Sequence, residues 1–205
     1  MSTTRYKAAL DALIAPLAEW VARRGITPNA ITLATPLLTA LACWWLLRTA
    51  ALMPFALMML AIGCLDLLDG AVARASGTAS AFGAYLDAMA DRYVESLVIL
   101  AVAWVTGYWV LSLIMLSGSL LVSYAKARAA MEIPISNREW PDLMERVERS
   151  ACYLGGLVAG AVLPWRPLGR DLFWWMLLLL GVLIHATVVQ RVLRARRLIG
   201  ERSRG

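Results

Sequence analysis

Four aspartates lie close together in a strongly apolar part of the chain: Asp66, Asp69, Asp87 and Asp91. The first two are three positions apart and the last two are four apart, so on helices each pair shares one face. A carboxylate inside a membrane helix costs roughly 2.5–3.5 kcal/mol on insertion scales, so four of them need a common binding partner. Two helices that present such pairs to each other form a set of hard oxygen ligands, which suits Mg²⁺, Mn²⁺ or Ca²⁺. The spacing therefore predicts a divalent-metal site.

The composition is that of a polytopic membrane protein. Of the 205 residues, 60% are hydrophobic and 17% are charged, and the mean hydropathy is +0.66. The length fits one domain over residues 1–205. The N-terminus lacks an apolar signal core followed by a small-residue cleavage site, so we expect no removed peptide. With His185 as its single histidine, the chain offers no Ser-His or Cys-His catalysis, and we expect this side chain to pack between helices.

Hydrophobic periodicity predicts an all-α polytopic membrane protein with one N-terminal interfacial helix and six transmembrane helices. Residues 1–24 carry apolar side chains at helical spacing among charged ones, which is typical of an amphipathic helix on a membrane surface. Thr27 is a suitable N-cap and Pro28 a suitable first-turn residue for the next helix. The spans are predicted at about 29–47, from 50 into the aspartate motif, and at 79–105, 107–128, 147–163 and 172–189. They form a six-helix bundle over residues 29–193, followed by a basic tail at 194–205.

The distribution of basic residues predicts the orientation. If six spans place both termini on one side, that side holds 17 of the 20 Lys and Arg residues, and the other side holds Arg48, Arg166 and Arg170. The positive-inside rule assigns the rich side to the cytoplasm, so the protein is expected in the cytoplasmic membrane with its termini and aspartates on the cytoplasmic side. Because the basic residues are juxtamembrane, they favour membrane lipids and phosphorylated substrates as partners, and no nucleic acid.

The extended motif resembles the signature of the CDP-alcohol phosphatidyltransferase family. The pattern is Asp66-x2-Asp69-Gly70-x2-Ala73-Arg74-x8-Gly83-x3-Asp87-x3-Asp91, and every defined position of the signature is matched. The resemblance implies an interfacial helix followed by six spans, as the periodicity also predicts. It further implies transfer of a phosphatidyl group from a CDP-linked lipid, CDP-diacylglycerol, to an alcohol with release of CMP. Divalent metal and a homodimer are part of what it implies.

The resemblance and the chemistry of diphosphates assign roles to these residues. Transfer at a diphosphate requires its charge to be neutralised and the attacking hydroxyl to be held in line. Two ions, Mg²⁺ or Mn²⁺, held ~3.5–4 Å apart by the four aspartates would neutralise the charge of the diphosphate. The resemblance makes Asp91 also the general base for the acceptor hydroxyl. The residues expected at the donor nucleotide are Asn29, Thr32, Asp69, Gly70, Ala73, Arg74 and Gly83.

The acceptor is predicted from basic residues near the ends of three helices. The segments 123–129, 145–149 and 187–191 resemble those of the prokaryotic phosphatidylinositol-phosphate synthases. That resemblance implies a pocket for the phosphate of inositol phosphate, and the candidate residues are Lys126, Arg128, Arg146 and Arg191. A convergent set of cations suits a phosphorylated acceptor and repels choline or ethanolamine. Glycerol phosphate fits the same electrostatics, and serine remains an open alternative.

Two other functions are compatible with carboxylates in membrane helices. In transporters such residues mark cation or proton paths, and Gly70 and Gly83 taken alone could be helix-packing glycines. Transport, however, requires neither the Gly/Ala/Arg pattern nor a site near the membrane surface. An inactive scaffold of the same fold is the other alternative, although no aspartate of the signature is missing here.

Overall fold

The computed structural model describes residues 14–134, 143–144 and 146–202, which are almost entirely helical. The helices found there are α1 (14–23), α2 (Pro28–Thr49), α3 (Leu52–Ala75), α4 (Ala81–Thr106), α5 (Trp109–Glu132), α6 (Arg146–Val162) and α7 (Leu172–Arg202). A 3₁₀ turn, Pro167–Gly169, precedes α7. The beginning of the predicted interfacial helix (1–13) lies outside the described residues, as do positions 203–205 of the predicted tail. Helix α7 runs on through the rest of that tail segment.

The sequence signals for the start of the first long helix are confirmed. Thr27 is extended (φ −78°, ψ 146°) and its hydroxyl accepts a hydrogen bond from the Ala30 backbone N–H at 3.3 Å. Pro28 is the first helical residue, where a missing N–H costs nothing. The helix ends at Ala50, which adopts a left-handed conformation (φ 52°) and donates its N–H to the Leu46 carbonyl.

Four of the described helices, α2, α3, α5 and α7, are long and apolar enough to cross a membrane. Two further helices were predicted as spans but do not meet the same criteria. Helix α4 has 26 residues, but its sequence includes Asp87, Asp91, Arg92 and Glu95. Helix α6 has 17 residues, about 26 Å at 1.5 Å per residue, which is short of a hydrocarbon core of about 30 Å. The protein is therefore an integral membrane protein with four clear spans among its described residues.

Among the described residues up to Ala101, helices α2 and α3 make extensive contact with each other. Helix α1 lies against both through a small apolar core formed by Ala18, Val21, Ile31, Leu68, Ala71 and Val72. Three of these core residues belong to the turns of α3 around Asp69. The apolar packing therefore supports the backbone that carries the first two aspartates.

Among the described residues from Val102 onward, helix α7 contacts both α5 and α6. Close packing of α6 depends on Gly156 and Gly160. A Cβ atom on Gly156 would lie 2.5 Å from Met176 Cγ, and one on Gly160 would lie 2.7 Å from Phe173 Cβ. On the α5 side, the His185 Nε2 is 3.1 Å from the Ile114 carbonyl oxygen, which agrees with the packing role expected for this histidine.

Candidate active site

Three of the four aspartates form a compact carboxylate cluster. Asp66 and Asp69 on α3 and Asp87 on α4 each offer one oxygen, and these oxygens all lie within 4.8 Å of one another. Asp69 is 7% exposed and the other two are half-buried. Three carboxylates at this separation repel one another strongly unless a cation lies among them. Their hard oxygens fit the ligand preferences of Mg²⁺ and Mn²⁺, so the donor set is compatible with the predicted metal.

The connection between α3 and α4 is short, and this brings Asp87 to the pair of aspartates on α3. It runs only from Ser76 to Ser80, and Gly77 in it has φ 65°, a left-handed conformation that glycine adopts without strain. Asp91 lies one helical turn beyond Asp87 on α4 and is 9% exposed. It is not one of the three residues in the cluster, and its roles as fourth ligand and general base stay predictions.

Thr32 on α2 binds the most buried carboxylate of the cluster. Its hydroxyl oxygen is 2.6 Å from Asp69 Oδ2 and 3.1 Å from the Pro28 carbonyl oxygen. The shorter contact is to a charged acceptor and takes the proton, because charge-assisted hydrogen bonds are the stronger ones. Thr32 was predicted only as a contact for the donor nucleotide. The structure shows that it also holds the Asp69 carboxylate of the cluster by a hydrogen bond.

Two other residues predicted at the donor nucleotide, Asn29 and Gly83, lie close together. The Ser80 hydroxyl accepts a hydrogen bond from the Gly83 N–H at 3.0 Å and so caps the start of α4. A Cβ atom on Gly83 would lie 3.2 Å from Ser80 Oγ and 3.3 Å from Asn29 Oδ1, which is tighter than normal packing. The lack of a side chain at position 83 therefore makes room for the Asn29 amide.

Gly70 and Arg74 lie one turn apart on α3, and Ala73 beside them is half-buried. A Cβ atom on Gly70 would meet Arg74 Nη1 at 3.4 Å, an ordinary contact. Packing alone therefore does not require glycine at position 70. An approach by a ligand to the backbone would explain this residue better than the protein contacts do.

The four cations predicted for the acceptor have different environments. Arg191 on α7 is 6% exposed and donates to the backbone carbonyl of Val122 on α5. Lys126 and Arg146 are half-buried. Arg128 is exposed and pairs with Glu132 one turn further along α5, so part of its charge is already neutralised.

Arg149 on α6 is buried and was not among the residues predicted for the site. It is 3% exposed and donates from Nη2 to the Ser119 hydroxyl at 3.1 Å. Ser119 and Val122 are three positions apart on α5, so Arg149 and Arg191 reach the same face of that helix within one turn. Lys126 continues this face one turn later. The run Glu-Arg-Val-Glu-Arg contains Arg149, but its burial could not be read from the spacing.

Comparison with known proteins identifies the family. The model of the CDP-alcohol phosphatidyltransferase family matches residues 25–188. An archaetidylinositol phosphate synthase of Aeropyrum pernix is 38% identical over 156 residues, which cover 73% of this chain and 76% of that protein. A phosphatidylinositol phosphate synthase of Mycobacteroides abscessus is 33% identical over 186 residues, which cover 86% of this chain and 80% of the other.

Solved structures agree with the sequence relatives. The Mycobacterium tuberculosis phosphatidylinositol phosphate synthase with CDP-DAG bound superimposes with a TM-score of 0.79 at 28% identity, over 90% of this chain and 94% of that one. The same enzyme in complex with manganese and citrate gives a TM-score of 0.78 at 29% identity, over 89% and 88%. The resemblance seen in the aspartate motif is confirmed, and this chain belongs to the CDP-alcohol phosphatidyltransferase family.

Proposed function

We propose that this transferase moves a phosphatidyl group from a CDP-linked lipid, CDP-diacylglycerol, to inositol phosphate and releases CMP. The observation that carries the proposal is the cluster of Asp66, Asp69 and Asp87, whose oxygens lie within 4.8 Å of one another in the family's signature motif. The names of the relatives and the CDP-DAG in the M. tuberculosis enzyme support the donor and the acceptor. Membership of a transferase family favours this reaction over cation transport.

The metal site is proposed to consist of this cluster together with Asp91 and to hold two ions, Mg²⁺ or Mn²⁺. The manganese in the M. tuberculosis enzyme supports a divalent ion. Ions bound there would neutralise charge on the diphosphate and hold its oxygens in a fixed geometry. Thr32 would keep the Asp69 carboxylate in its ligating orientation through the 2.6 Å hydrogen bond.

The proposed reaction is a single displacement at phosphorus. The acceptor hydroxyl oxygen forms a bond to the phosphatidyl phosphorus, and the bond from that phosphorus to the bridging oxygen of CMP breaks. CMP leaves with the electron pair, and the hydroxyl proton passes to the Asp91 carboxylate. The donor nucleotide is proposed to lie against α2, α3 and α4, where Asn29 and Gly83 meet and Arg74 can pair with a phosphate.

The acceptor phosphate is proposed to bind basic residues on α5, α6 and α7. To the four cations predicted from sequence, Lys126, Arg128, Arg146 and Arg191, the proposal adds Arg149. Two of these arginines are buried and reach one face of α5, which supports a preformed anion site. Arg128 is expected to contribute least because Glu132 already pairs with it.

The membrane arrangement is proposed to follow the charge distribution. Helices α4 and α6 complete six spans within a homodimer, both termini face the cytoplasm, and the aspartates open to the cytoplasmic surface. Buried charges are tolerated in membrane helices when they face the bundle interior, which would explain the acidic residues of α4. The same arrangement would place the basic residues beside anionic headgroups and soluble substrates.

The proposal is tested with purified protein, CDP-diacylglycerol and Mg²⁺ or Mn²⁺, scored by CMP release with inositol phosphate, glycerol phosphate or serine as acceptor. We expect the highest kcat/KM with inositol phosphate.

Asp66→Asn, Asp69→Asn and Asp87→Asn should each lower kcat/KM by more than about 100-fold, because a charged ligand is lost. Glu19→Gln, at an exposed carboxylate on α1, is the matched control and should retain wild-type activity. Absence of CMP with every acceptor would refute the reaction, and a preference for another acceptor would refute inositol phosphate.

A further inference from the structure

Helix α2 has a proline in its interior. Pro36 lies well inside this helix, which runs from Pro28 to Thr49. Proline has no backbone N–H, so position 36 cannot donate the usual helical hydrogen bond to the carbonyl of Thr32, four positions earlier. The pyrrolidine ring also crowds that carbonyl, and sharp bends in helices are commonly found at such prolines. A residue that is unfavourable for the helix therefore lies one turn from Thr32, which binds the metal cluster.

The direction of the bend follows from the place of Pro36 on the helix surface. At 100° per residue, Pro36 is about 40° around α2 from Thr32, and it is half-buried. The Thr32 side chain meets Asp69 on α3, so the proline is close to the side of α2 that packs on α3. The ring forces successive turns apart on its own side, which makes α2 convex toward α3 near Thr32. The bend therefore brings the Thr32 hydroxyl toward Asp69.

The residue before the proline carries a further constraint of the same kind. The ring of a proline disfavours helical geometry in the preceding residue, yet Thr35 is helical and buried. The Thr35 hydroxyl is 3.1 Å from the Ile31 carbonyl oxygen, and hydrogen bonds from a side chain to the carbonyl four positions earlier favour a bend. Local choices that work against a regular helix are thus combined at Thr35 and Pro36. Such conflicts between local preference and fold are expected at functional sites.

The contact next to this bend depends on accurate placement of α2. Thr32 and Asp69 are both buried, and their oxygens are 2.6 Å apart. The strength of a hydrogen bond falls steeply once its distance or angle departs from the preferred range. Thr32 lies between Pro28, which fixes the start of α2, and Pro36, which fixes the bend. The segment that carries the hydroxyl is therefore restricted at both ends by proline.

We propose that Pro36 is a positioning residue of the metal site, because its bend in α2 places the Thr32 hydroxyl against the Asp69 carboxylate. The inference rests on the proposed function of the cluster in binding divalent metal. Pro36 acts through Thr32 and not by contact with the ion. An alanine at position 36 restores the missing N–H, straightens α2 and draws the hydroxyl away from Asp69. The substitution therefore improves the helix and weakens the metal site.

The test measures Mn²⁺ affinity and thermal unfolding of purified wild type, Pro36→Ala and Pro54→Ala, with free Mn²⁺ followed by its electron paramagnetic resonance signal. Pro36→Ala should weaken Mn²⁺ binding by at least about fivefold, less than the 10- to 100-fold typical of losing an outer-shell partner outright. Its Tm should equal or exceed that of wild type, because alanine is far more favourable than proline in a helix interior. Pro54→Ala is the matched control, since Pro54 is exposed in the first turn of α3, and its Mn²⁺ affinity should be unchanged.

A double variant shows whether Pro36 acts through the Thr32 hydroxyl. In a Thr32→Val background, the added Pro36→Ala substitution should leave the Mn²⁺ affinity unchanged. An equal loss of affinity in both backgrounds would overturn the proposal. Wild-type affinity in Pro36→Ala would also overturn it, as would a loss of affinity together with a lowered Tm.

These measurements separate this inference from the proposed function on which it rests. If wild type binds Mn²⁺ and Pro36→Ala binds it equally well, only the role of Pro36 is refuted. If wild type binds no Mn²⁺, the proposed metal site is refuted, and the role of Pro36 with it.

Discussion

Removing the Thr32 hydroxyl should weaken metal binding without disturbing the helix that carries it. The Thr32→Val substitution keeps the side-chain shape but deletes the donor 2.6 Å from Asp69 Oδ2. A hydrogen bond to a charged group contributes about 1.5–3 kcal/mol. Because the bond also exists without metal, only the part of this energy gained on metal binding changes the affinity; at 1.36 kcal/mol per tenfold, a loss of roughly 10- to 150-fold for the first divalent ion is therefore the upper bound. The range agrees with the 10- to 100-fold that outer-shell partners typically contribute.

The assay is titration of Mn²⁺ into purified protein, followed by the electron paramagnetic resonance signal of free Mn²⁺. Thr39→Val is a matched control on the same helix, because Thr39 is buried and its hydroxyl donates to the Thr35 carbonyl at 2.9 Å. It should bind Mn²⁺ as wild type does. If Thr32→Val and Thr39→Val have equal Mn²⁺ affinities, Thr32 does not orient the metal site. If Thr32→Val raises the KM for the donor but leaves the Mn²⁺ affinity unchanged, the result would support the predicted role of Thr32 as a contact for the donor nucleotide.

Three further outcomes are expected. Gly70→Ala should raise the donor KM without lowering Tm, whereas Gly83→Ala should lower Tm as well, because its Cβ would meet two side chains at 3.2 and 3.3 Å. Arg191→Ala should raise the acceptor KM at least tenfold more than Arg128→Ala does, with little change in donor KM, because the loss of a buried cation costs more. Burial and a hydrogen bond to Asp171 raise the pKa of Tyr108 to about 12 from 10.0, so folded protein binds more protons than unfolded protein between these values. The free energy of unfolding should therefore fall as the pH rises through that range. The fall should be smaller in Tyr108→Phe, and Tm measured at a series of pH values would show the difference.

The aspartate cluster was predictable because its geometry is mostly local. Spacings of three and four place each pair on one helix face, and the short connection after Ala75 leaves α3 and α4 few ways to lie apart. The N-cap at Thr27 could be predicted for the same reason, since capping depends on a few consecutive residues. The family resemblance then supplied the chemistry that periodicity alone left open.

The remaining features depend on contacts between distant parts of the chain. Thr32 and Asp69 are 37 positions apart, so nothing local indicates their hydrogen bond. Arg149 and its acceptor Ser119 on α5 are 30 positions apart, so nothing local indicates that this arginine is buried. The predicted spans at α4 and α6 do not meet the criteria of length and apolarity, because α4 is rich in charge and α6 is short.

The most direct test of the carboxylate site is an anomalous difference map from crystals of the protein grown with Mn²⁺ and recorded at the manganese absorption edge. We expect a peak within bonding distance of Asp66, Asp69 and Asp87, and we expect this peak to disappear in crystals of Asp69→Asn. Manganese peaks only in other parts of the protein, with no ion bound to these three carboxylates, would contradict the proposed metal site.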